Sequence, residues 1–328
     1  MASNVRRLSS TLRNVFQIDG RYVFAHYVGS GAQGTCYKLN RVQPQAGDRT
    51  SLLLKVLGGE VQADDDDDEI SPEVWAEAEL NALQIVRGAS HVIQMVDILR
   101  DPLTKASAFN DLTIPYLELA YRPAPSRIVG LTEASSVIRS TIACAWPTVH
   151  QPDVFRLEEP QAGFSNVILK NFDIHDENLM FGAFSPVPVP EHFLAPPIIM
   201  IDLGITDISK NATEVTWNAS VREMLDQFMA VLSDLTKMNR SDEAMNTRVD
   251  PDIRKFLSIY EADPKAFPIL QDIFTLTFGA VRDRSEAWYA ANVGIMDGSE
   301  SDDNIRTFVQ TCILSAHTDG NQTGFHWG

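Results

Sequence analysis

The sequence predicts an α+β fold in which strands and one helix fill the first third of the chain and helices dominate the rest. Two observations support this prediction. Strand-like runs rich in Val, Tyr, Phe and Leu surround a cluster of glycines between residues 21 and 57. Beyond residue 130, apolar residues recur every three or four positions, which is the spacing of amphipathic helices. A chain of 328 residues is long enough to form two lobes.

The first third is predicted to hold one helix and five strands. The helix should begin at Pro72, because Ser71 is a good N-cap and proline suits the first helical position. Its apolar spacing continues to about Arg87, where Gly88 ends it. The strands are predicted at residues 21–28, 35–42, 51–57, 91–100 and 112–120.

The remainder is predicted to be mostly helical, with two short strands at 178–182 and 198–204. Pro152, Pro160 and Gly163 interrupt the stretch before residue 171, and a proline inside a helix costs about 3 kcal/mol. A long helix is therefore not expected there. Helices are predicted at residues 132–146, 221–238, 252–262, 267–278 and 302–317.

The composition is that of an acidic globular protein. The 27 basic and 44 acidic residues give a formal net charge of −17, which argues against nucleic acid or an anionic membrane surface as a partner. No apolar run approaches the roughly 20 residues that span a bilayer. Three widely spaced cysteines exclude a disulfide scaffold and suit a reducing compartment, so we expect a cytoplasmic protein: Cys36, Cys144 and Cys312.

Two polar segments are expected to lie outside the folded core. The first eighteen residues contain three arginines and no acid, as in a mitochondrial presequence, but we favour a flexible N-terminal flank over residues 1–20. Five consecutive aspartates, 64–68, repel one another. We therefore expect residues 62–69 to form a disordered loop.

The glycine cluster has the pattern G-x-G-x-x-G over residues 29–34. A dinucleotide-binding fingerprint would continue into a helix, whereas a strand follows here. A Walker loop would end in Gly-Lys-Ser/Thr, which is absent from this motif. The remaining interpretation is a hairpin whose glycine-rich tip can approach phosphates through its backbone N–H groups.

A lysine, Lys55, lies within the apolar run of the third strand. It is either an edge residue whose ammonium reaches water or the partner of a carboxylate on the following helix. Glu79 is the better partner, because it stands four residues before Leu83 on the expected inward face, and Glu77 is the alternative. We predict an ion pair between Lys55 and Glu79.

The most specific cluster lies in residues 171–178, followed by an aspartate that enters a glycine turn at 202–204. Asp173 and Asn178 stand five residues apart in a short loop before a strand. Asp173 can direct its carboxylate at an acceptor hydroxyl, and Asn178 can direct its amide oxygen at a metal. Asp202 follows an apolar strand and is well placed to hold a metal against phosphate oxygens.

In this order and spacing, the motifs resemble those of the protein-kinase-like fold. The sequence around them is similar to that of divergent kinase-like proteins of filamentous fungi. The resemblance implies a bilobal fold, with a small antiparallel-sheet N-lobe with one helix at 21–118 and a mostly helical C-lobe at 119–328. It also implies ATP and Mg²⁺ as cofactors.

The resemblance assigns the nucleotide contacts residue by residue. Lys55 matches the phosphate-binding lysine and Glu79 its helix-borne partner. Residues 116–120 resemble the gatekeeper and hinge, where backbone atoms of Glu118 and Ala120 are expected to meet adenine. The glycine-rich loop over the phosphates is matched by Gly29, Ser30, Gly31 and Gly34.

The same resemblance makes Asp173 the catalytic aspartate and Asn178 and Asp202 the metal ligands. His175 stands where protein kinases usually have lysine. The resulting D-x-H-x-x-N resembles aminoglycoside and choline phosphotransferases, so an imidazole is expected to assist the phosphate. Asn171 replaces the histidine that most kinases keep two residues before the catalytic aspartate.

The segment after Gly204 is short for a protein kinase, since the next predicted helix begins at 221. We expect a phosphotransferase that moves the γ-phosphate of Mg-ATP to a hydroxyl of an unidentified protein or small molecule. The alternative is a pseudokinase that binds nucleotide or partners without turnover.

Overall fold

The computed structural model describes most of the chain, and the statements below concern the residues that it describes. These are 2–31, 34–44, 51–57, 72–96, 106–110, 114–115, 131–147, 158–175, 178–182, 192–238, 251–263, 270–283, 285–292 and 301–310. The acidic run at 62–69, the hinge positions Glu118 and Ala120, and Cys312 lie outside the described residues.

An antiparallel sheet of five strands forms the N-lobe, in the order β1-β2-β3-β5-β4. Its first hairpin closes at the glycine-rich tip, where Gly31 pairs with Gly34. The alternation of β3 sends Leu52, Leu54 and Val56 to one face and Lys55 to the other. The strands are Tyr22–Gly31 (β1), Gly34–Arg41 (β2), Ser51–Leu57 (β3), Met95–Val96 (β4) and Ala106–Asn110 (β5).

The N-terminal segment is a helix, α1 (Ala2–Asp19), which corrects the expected flexible flank. Leu12 and Phe16 are fully buried, 0% and 1% exposed, and they pack with the apolar face of the sheet. The helix ends at Gly20, whose φ of 71° is left-handed and whose N–H bonds the carbonyl of Phe16. The flank is ordered because its apolar residues fall on one helical face and cover the outer face of the sheet.

The helix predicted after the acidic run is present as α2 (Pro72–Ile85) and begins at Pro72 as expected. A turn follows, and Gly88 adopts a left-handed φ of 86°. The Gln94 side chain then donates to the carbonyls of Ala89 and Val92 at 3.0 and 2.9 Å. This connector between α2 and β4 is therefore a compact, internally bonded turn.

The strand predictions near the end of the first third need correction. Of residues 112–120, the structure describes only Ile114–Pro115 (β6) as strand, and this strand pairs with Leu179–Phe181 (β8) rather than with the N-lobe sheet. The fifth strand of the N-lobe sheet is instead β5, Ala106–Asn110. It was not predicted, because its sequence ASAFN has no strong strand preference.

Two small sheets of the C-lobe frame the loop motifs at residues 171–178 and 202–204. One has the order β6-β8-β9, and the other joins β7 and β10 antiparallel. Strands β7 and β10 were not predicted, because each is only four residues long and β10 has no alternating apolar pattern. The strands are Ile168–Asn171 (β7), Leu179–Phe181 (β8), Ile198–Met200 (β9) and Thr206–Ser209 (β10).

Helices supply most of the C-lobe, as predicted, around one apolar core. The described part of the first of them, from Ser135 onward, is buried throughout, and Trp146 packs against Trp217 with tilted rings and 4.8 Å between ring centroids. No described helix is both long enough and apolar enough to cross a membrane. The helices are Leu131–Ala145 (α3), Glu214–Met238 (α4), Pro251–Ala262 (α5), Leu270–Asp283 (α6), Glu286–Asn292 (α7) and Asp302–Phe308 (α8).

The stretch before β7 is irregular, as its prolines predict: residues 158–167 contain neither helix nor strand. A buried helix, α3 (Leu131–Ala145), lies upstream of these residues. The irregular residues 158–167 therefore lie between this helix and the catalytic-loop motif.

Candidate active site

An ammonium group shared by two carboxylates links the two lobes. Lys55 Nζ lies 3.1 and 3.0 Å from the two carboxylate oxygens of Glu79, which confirms the ion pair predicted between β3 and α2. The same Nζ lies 3.5 Å from Oδ2 of Asp202, which is 147 residues away in sequence. Lys55 and Glu79 are buried, 8% and 4% exposed, so solvent screens this pair little.

The charge of Lys55 is maintained by its partners. Burial lowers the pKa of the ammonium, but the carboxylates of Glu79 and Asp202 more than offset this effect, and the net pKa is raised. Lys55 therefore remains a cation that can meet phosphate oxygens. Asp202 is 23% exposed at its side chain, so this end of the cluster is open to solvent.

The sequence analysis missed Cys36 of β2, which pairs directly with Lys55 across the β2–β3 ladder and with Gly29 across β1–β2. Burial raises the pKa of its thiol to about 11, so the group stays neutral near pH 7. Its position two residues after Gly34 was the available signal, because a hairpin residue next to the glycine tip shares the face that approaches a ligand.

The second cluster is formed by Asp173, His175 and Asn178 in the loop between β7 and β8. Asn178 Nδ2 lies 2.8 Å from Asp173 Oδ2 and 2.9 Å from His175 Nε2. His175 Nε2 lies 3.4 Å from Asp173 Oδ1. The hydrogen bond with His175, helped by its charge and by Asn178, lowers the pKa of Asp173 against the opposing effect of burial. Asp173 is thus an ionised, partly exposed carboxylate.

Two amide side chains stabilise this loop by hydrogen bonds to its backbone. Buried Asn171 accepts the N–H of Asp173 at 2.9 Å through Oδ1 and donates to Met200 Sδ at 3.3 Å. Gln227 of α4 accepts the N–H of Ile174 at 2.8 Å and donates to the carbonyl of Asn171 at 3.3 Å. Asn171 therefore supports the loop despite replacing the expected histidine.

Gln227 was also missed by the sequence analysis. A signal existed, because Gln227 is three residues from Met224 and four from Val231 on the apolar stripe of α4. A polar side chain on an otherwise buried helix face must find a hydrogen-bond partner inside the protein.

The positions predicted to bind a metal lie side by side. Ile201 N–H donates to the carbonyl of Asn178 at 2.8 Å, so Asn178 and Asp202 project from adjacent ends of the β8–β9 hairpin. Asp202 has a φ of 56°, which aspartate tolerates, and its Oδ1 accepts the N–H of Gly204 at 3.0 Å. One carboxylate and one amide oxygen are ligands that Mg²⁺ accepts, so these residues fit the ion.

The chain passes from the Asp202 turn almost directly into α4. Residues 205–213 contain β10, and α4 begins at Glu214 rather than at the predicted 221. Thr213 starts the helix, because its side chain accepts the N–H of Thr216 at 3.3 Å while Thr216 Oγ1 accepts the N–H of Thr213 at 2.9 Å. This segment is even shorter than the sequence analysis predicted.

A comparison with solved structures supports this architecture. No protein-family model and no curated protein matches the chain. The solved structure of the Rad53 kinase domain and SCD2 is similar to it, with a TM-score of 0.52 and 11% sequence identity, over 89% of this chain and 98% of that chain. The fold is protein-kinase-like.

The kinase-like fold confirms the predicted class, an antiparallel-sheet N-lobe with a mostly helical C-lobe. At 11% identity the two chains are similar in fold, and a shared fold does not fix the chemistry of the site. The structure brings together Lys55, Glu79 and Asp202, and separately Asp173, His175 and Asn178. Gly29 and Gly34 lie at the hairpin tip; the side-chain surroundings of Ser30 and Gly31 lie outside the description.

Proposed function

We propose that this protein is an ATP-dependent phosphotransferase of the kinase-like superfamily, which transfers the γ-phosphate of Mg-ATP to a hydroxyl of a protein or a small molecule. The observation that carries the proposal is the contact of one lysine, Lys55, with both Glu79 and Asp202. This arrangement supports a charged cleft between the lobes, with a cation for phosphate oxygens beside a carboxylate for a metal.

The roles follow from chemistry and position. Backbone N–H groups of the tip, Gly29 to Gly34, would cover the phosphates, and Lys55 would hold their oxygens. Asn178 and Asp202 would hold Mg²⁺, which supplies charge neutralisation for the phosphates when bound. Asp173 would accept the proton of the acceptor hydroxyl as its oxygen bonds to phosphorus and ADP leaves.

His175 is proposed to act on this aspartate rather than on phosphate. Its ring nitrogen contacts both Asp173 and Asn178, and the hydrogen bond keeps the pKa of Asp173 low. The ring would thereby orient the carboxylate toward the acceptor. This differs from the expectation that the imidazole assists the phosphate directly.

The alternative is a pseudokinase, a nucleotide-binding or interaction module without turnover. The short segment 205–213 favours it, because a peptide acceptor has little surface to bind beyond Asp202. The irregular stretch at residues 158–167 does not favour the pseudokinase, since α3, upstream of it, is buried along its described length.

Nucleotide titration and turnover, measured together, test the proposal. Mg-ATP at 100 times its Kd should add about 2.7 kcal/mol to the unfolding free energy of the wild type. Asp202→Ala should weaken Mg-ATP binding and abolish transfer. Asp173→Asn should keep the affinity and lower kcat by about 10²- to 10⁴-fold. Asp207→Asn, an exposed aspartate on β10, is the control and should match the wild type.

Labelled ATP should be offered with generic protein substrates and a panel of alcohol-bearing metabolites, with water as the background. Turnover by Asp173→Asn at the wild-type rate would disprove the catalytic assignment. Binding of Mg-ATP by the wild type with no transfer to any acceptor would favour the pseudokinase.

A further inference from the structure

Three buried ionisable side chains form a further cluster, apart from the proposed catalytic residues. His91 belongs to the connector between α2 and β4, Glu158 to the irregular segment before β7, and His192 to the segment before β9. Their exposed fractions are 0%, 4% and 3%. Carboxylates are seldom buried to this extent unless they are paired, so the three residues form a specific network.

Glu158 binds His91 through both of its oxygens. The backbone N–H of His91 donates to Oε1 at 2.9 Å, and Nδ1 of the ring lies 2.9 Å from Oε2. Burial raises the pKa of Glu158, but the charge and hydrogen bonds of His91 together outweigh burial and lower it. The carboxylate is therefore ionised, and Nδ1 of His91 carries a proton that it donates.

The two imidazoles meet at their other nitrogens. Nε2 of His91 lies 3.0 Å from Nε2 of His192, with 5.1 Å between the ring centroids. A hydrogen bond between two ring nitrogens needs one proton, with one nitrogen as donor and the other as acceptor. If both rings are cationic, two N–H groups face each other and the bond cannot form.

Two side chains of α3 beside Glu158 keep their charge state near neutral pH. On α3, Arg139 donates to the Glu158 carbonyl, and its guanidinium is a permanent cation. Cys144, also on α3, interacts with the Glu158 charge, and burial raises the pKa of its thiol to about 12. Imidazole is the side chain whose charge ordinarily changes between about pH 5 and 8, and two imidazoles meet in this cluster.

Main-chain bonds connect this cluster to the candidate active site. Met200 N–H donates to the carbonyl of His91, and Ile93 N–H donates to the carbonyl of Met200, both at 2.9 Å. Met200 ends β9 two residues before Asp202, and His192 lies on the segment that enters β9. The imidazole contact therefore joins the connector to the approach of the strand that ends at Asp202.

We propose that His91, Glu158 and His192 form a proton-sensitive latch that positions β9, and through it Asp202, for Mg-ATP. All three act as positioning residues. Only the effect on nucleotide rests on the proposed function; the latch itself does not. Acidification adds a second proton to the histidine pair and breaks the Nε2–Nε2 bond, so affinity for Mg-ATP falls.

The sign of the stability effect follows from proton counting. At acidic pH the unfolded chain binds a proton at each histidine, whereas the latched protein admits only one across the Nε2–Nε2 contact. The unfolded state therefore binds more protons, and unfolding free energy decreases as pH falls. A glutamine at 192 can form a hydrogen bond but cannot take up a proton, so it removes this dependence.

The experiment compares wild type, His192→Gln and the control His26→Gln, a half-buried histidine of β1. Mg-ATP affinity and unfolding free energy are measured at about pH 7.5 and about pH 5.5. Between these values, wild type and His26→Gln should lose about threefold to tenfold more affinity than His192→Gln. The comparison between variants cancels titration of the nucleotide itself.

A measurement on the wild type covers the case in which His192→Gln does not fold. Nitrogen-15 NMR of labelled histidines should show a coupling across the Nε2–Nε2 hydrogen bond at about pH 7.5 that disappears by about pH 5.5. Absence of this coupling at the higher pH, or equal stability losses in wild type and His192→Gln, overturns the latch.

The outcomes separate the two proposals. If no variant binds Mg-ATP at either pH, the proposed function fails, and the coupling and stability data still decide the latch. If the coupling and the stability difference are found while affinity changes equally in wild type and His192→Gln, the positioning of Asp202 is overturned.

Discussion

At Lys55 a single ammonium group compensates a carboxylate that is almost fully buried, Glu79. Lys55→Met should lower the unfolding free energy by about 3 kcal/mol, because it leaves this carboxylate without its partner. The double variant Lys55→Met/Glu79→Leu should recover much of the loss, since both charges are then removed. Denaturant unfolding of both variants is the measurement.

Lys38→Met, on the half-buried side of β2, is the matched control and should change stability by less than about 1 kcal/mol. Equal losses in the single and the double variant would show that the unpaired carboxylate is not the source of the penalty.

Single residues also show which parts of the site a sequence can predict. The Lys55–Glu79 pair follows from a lysine in an apolar strand and a glutamate on the inward face of the next helix. The contact with Asp202 spans 147 residues, so no local pattern indicates it; the family resemblance placed both residues at the nucleotide but did not predict this contact. The link between His91 and His192 spans 101 residues and had no such support.

Among the secondary-structure elements, α1 packs on the N-lobe sheet, a contact that the sequence did not predict. Leu12→Ala should destabilise the protein by about 2–5 kcal/mol, and Phe16→Ala by about 3–5 kcal/mol, because each leaves a cavity between α1 and the sheet. Ile18, 87% exposed on the same helix, is the control, and Ile18→Ala should change stability by less than about 0.5 kcal/mol.

Urea unfolding of the three α1 variants gives the comparison. A loss at Leu12 no larger than that at Ile18 would mean that α1 does not pack on the sheet in solution.

The difference between prediction and structure at α1 has a physical origin. An arginine-rich composition is equally compatible with a flexible flank, a targeting segment and a packed amphipathic helix. Which of these forms depends on whether another part of the protein packs against the apolar residues. Here the cover is a sheet face made by Leu52, Leu54 and Val56, which lie about forty residues later. Helices α3 and α5 were predictable because their own periodicity is strong enough to identify them.

For the whole molecule, the net charge of −17 predicts a stability that depends on salt. Like charges repel in the compact state, and added salt screens them, so raising NaCl from about 20 mM to about 500 mM should raise Tm by a few degrees. Partly exposed ion pairs such as Lys170–Glu223 weaken under the same conditions, but each contributes about 1 kcal/mol or less.

Calorimetry across a salt series checks this expectation, and KCl should give the same curve as NaCl if screening is the cause. A Tm that falls with salt would show that attractive charge pairs outweigh the repulsion of the excess acid.

The direct passage from the Asp202 turn into α4 has a consequence for cellular control. Many enzymes are turned on when another kinase modifies a loop beside the active site. In residues 205–213 the hydroxyl of Thr206 donates to the Leu203 carbonyl, and that of Thr213 caps α4. A phosphate on Thr213 would meet the favourable positive end of α4, whereas a phosphate on Thr206 would break the turn that follows Asp202. With the proposed function, modification of Thr206 would therefore weaken nucleotide binding rather than turn the protein on.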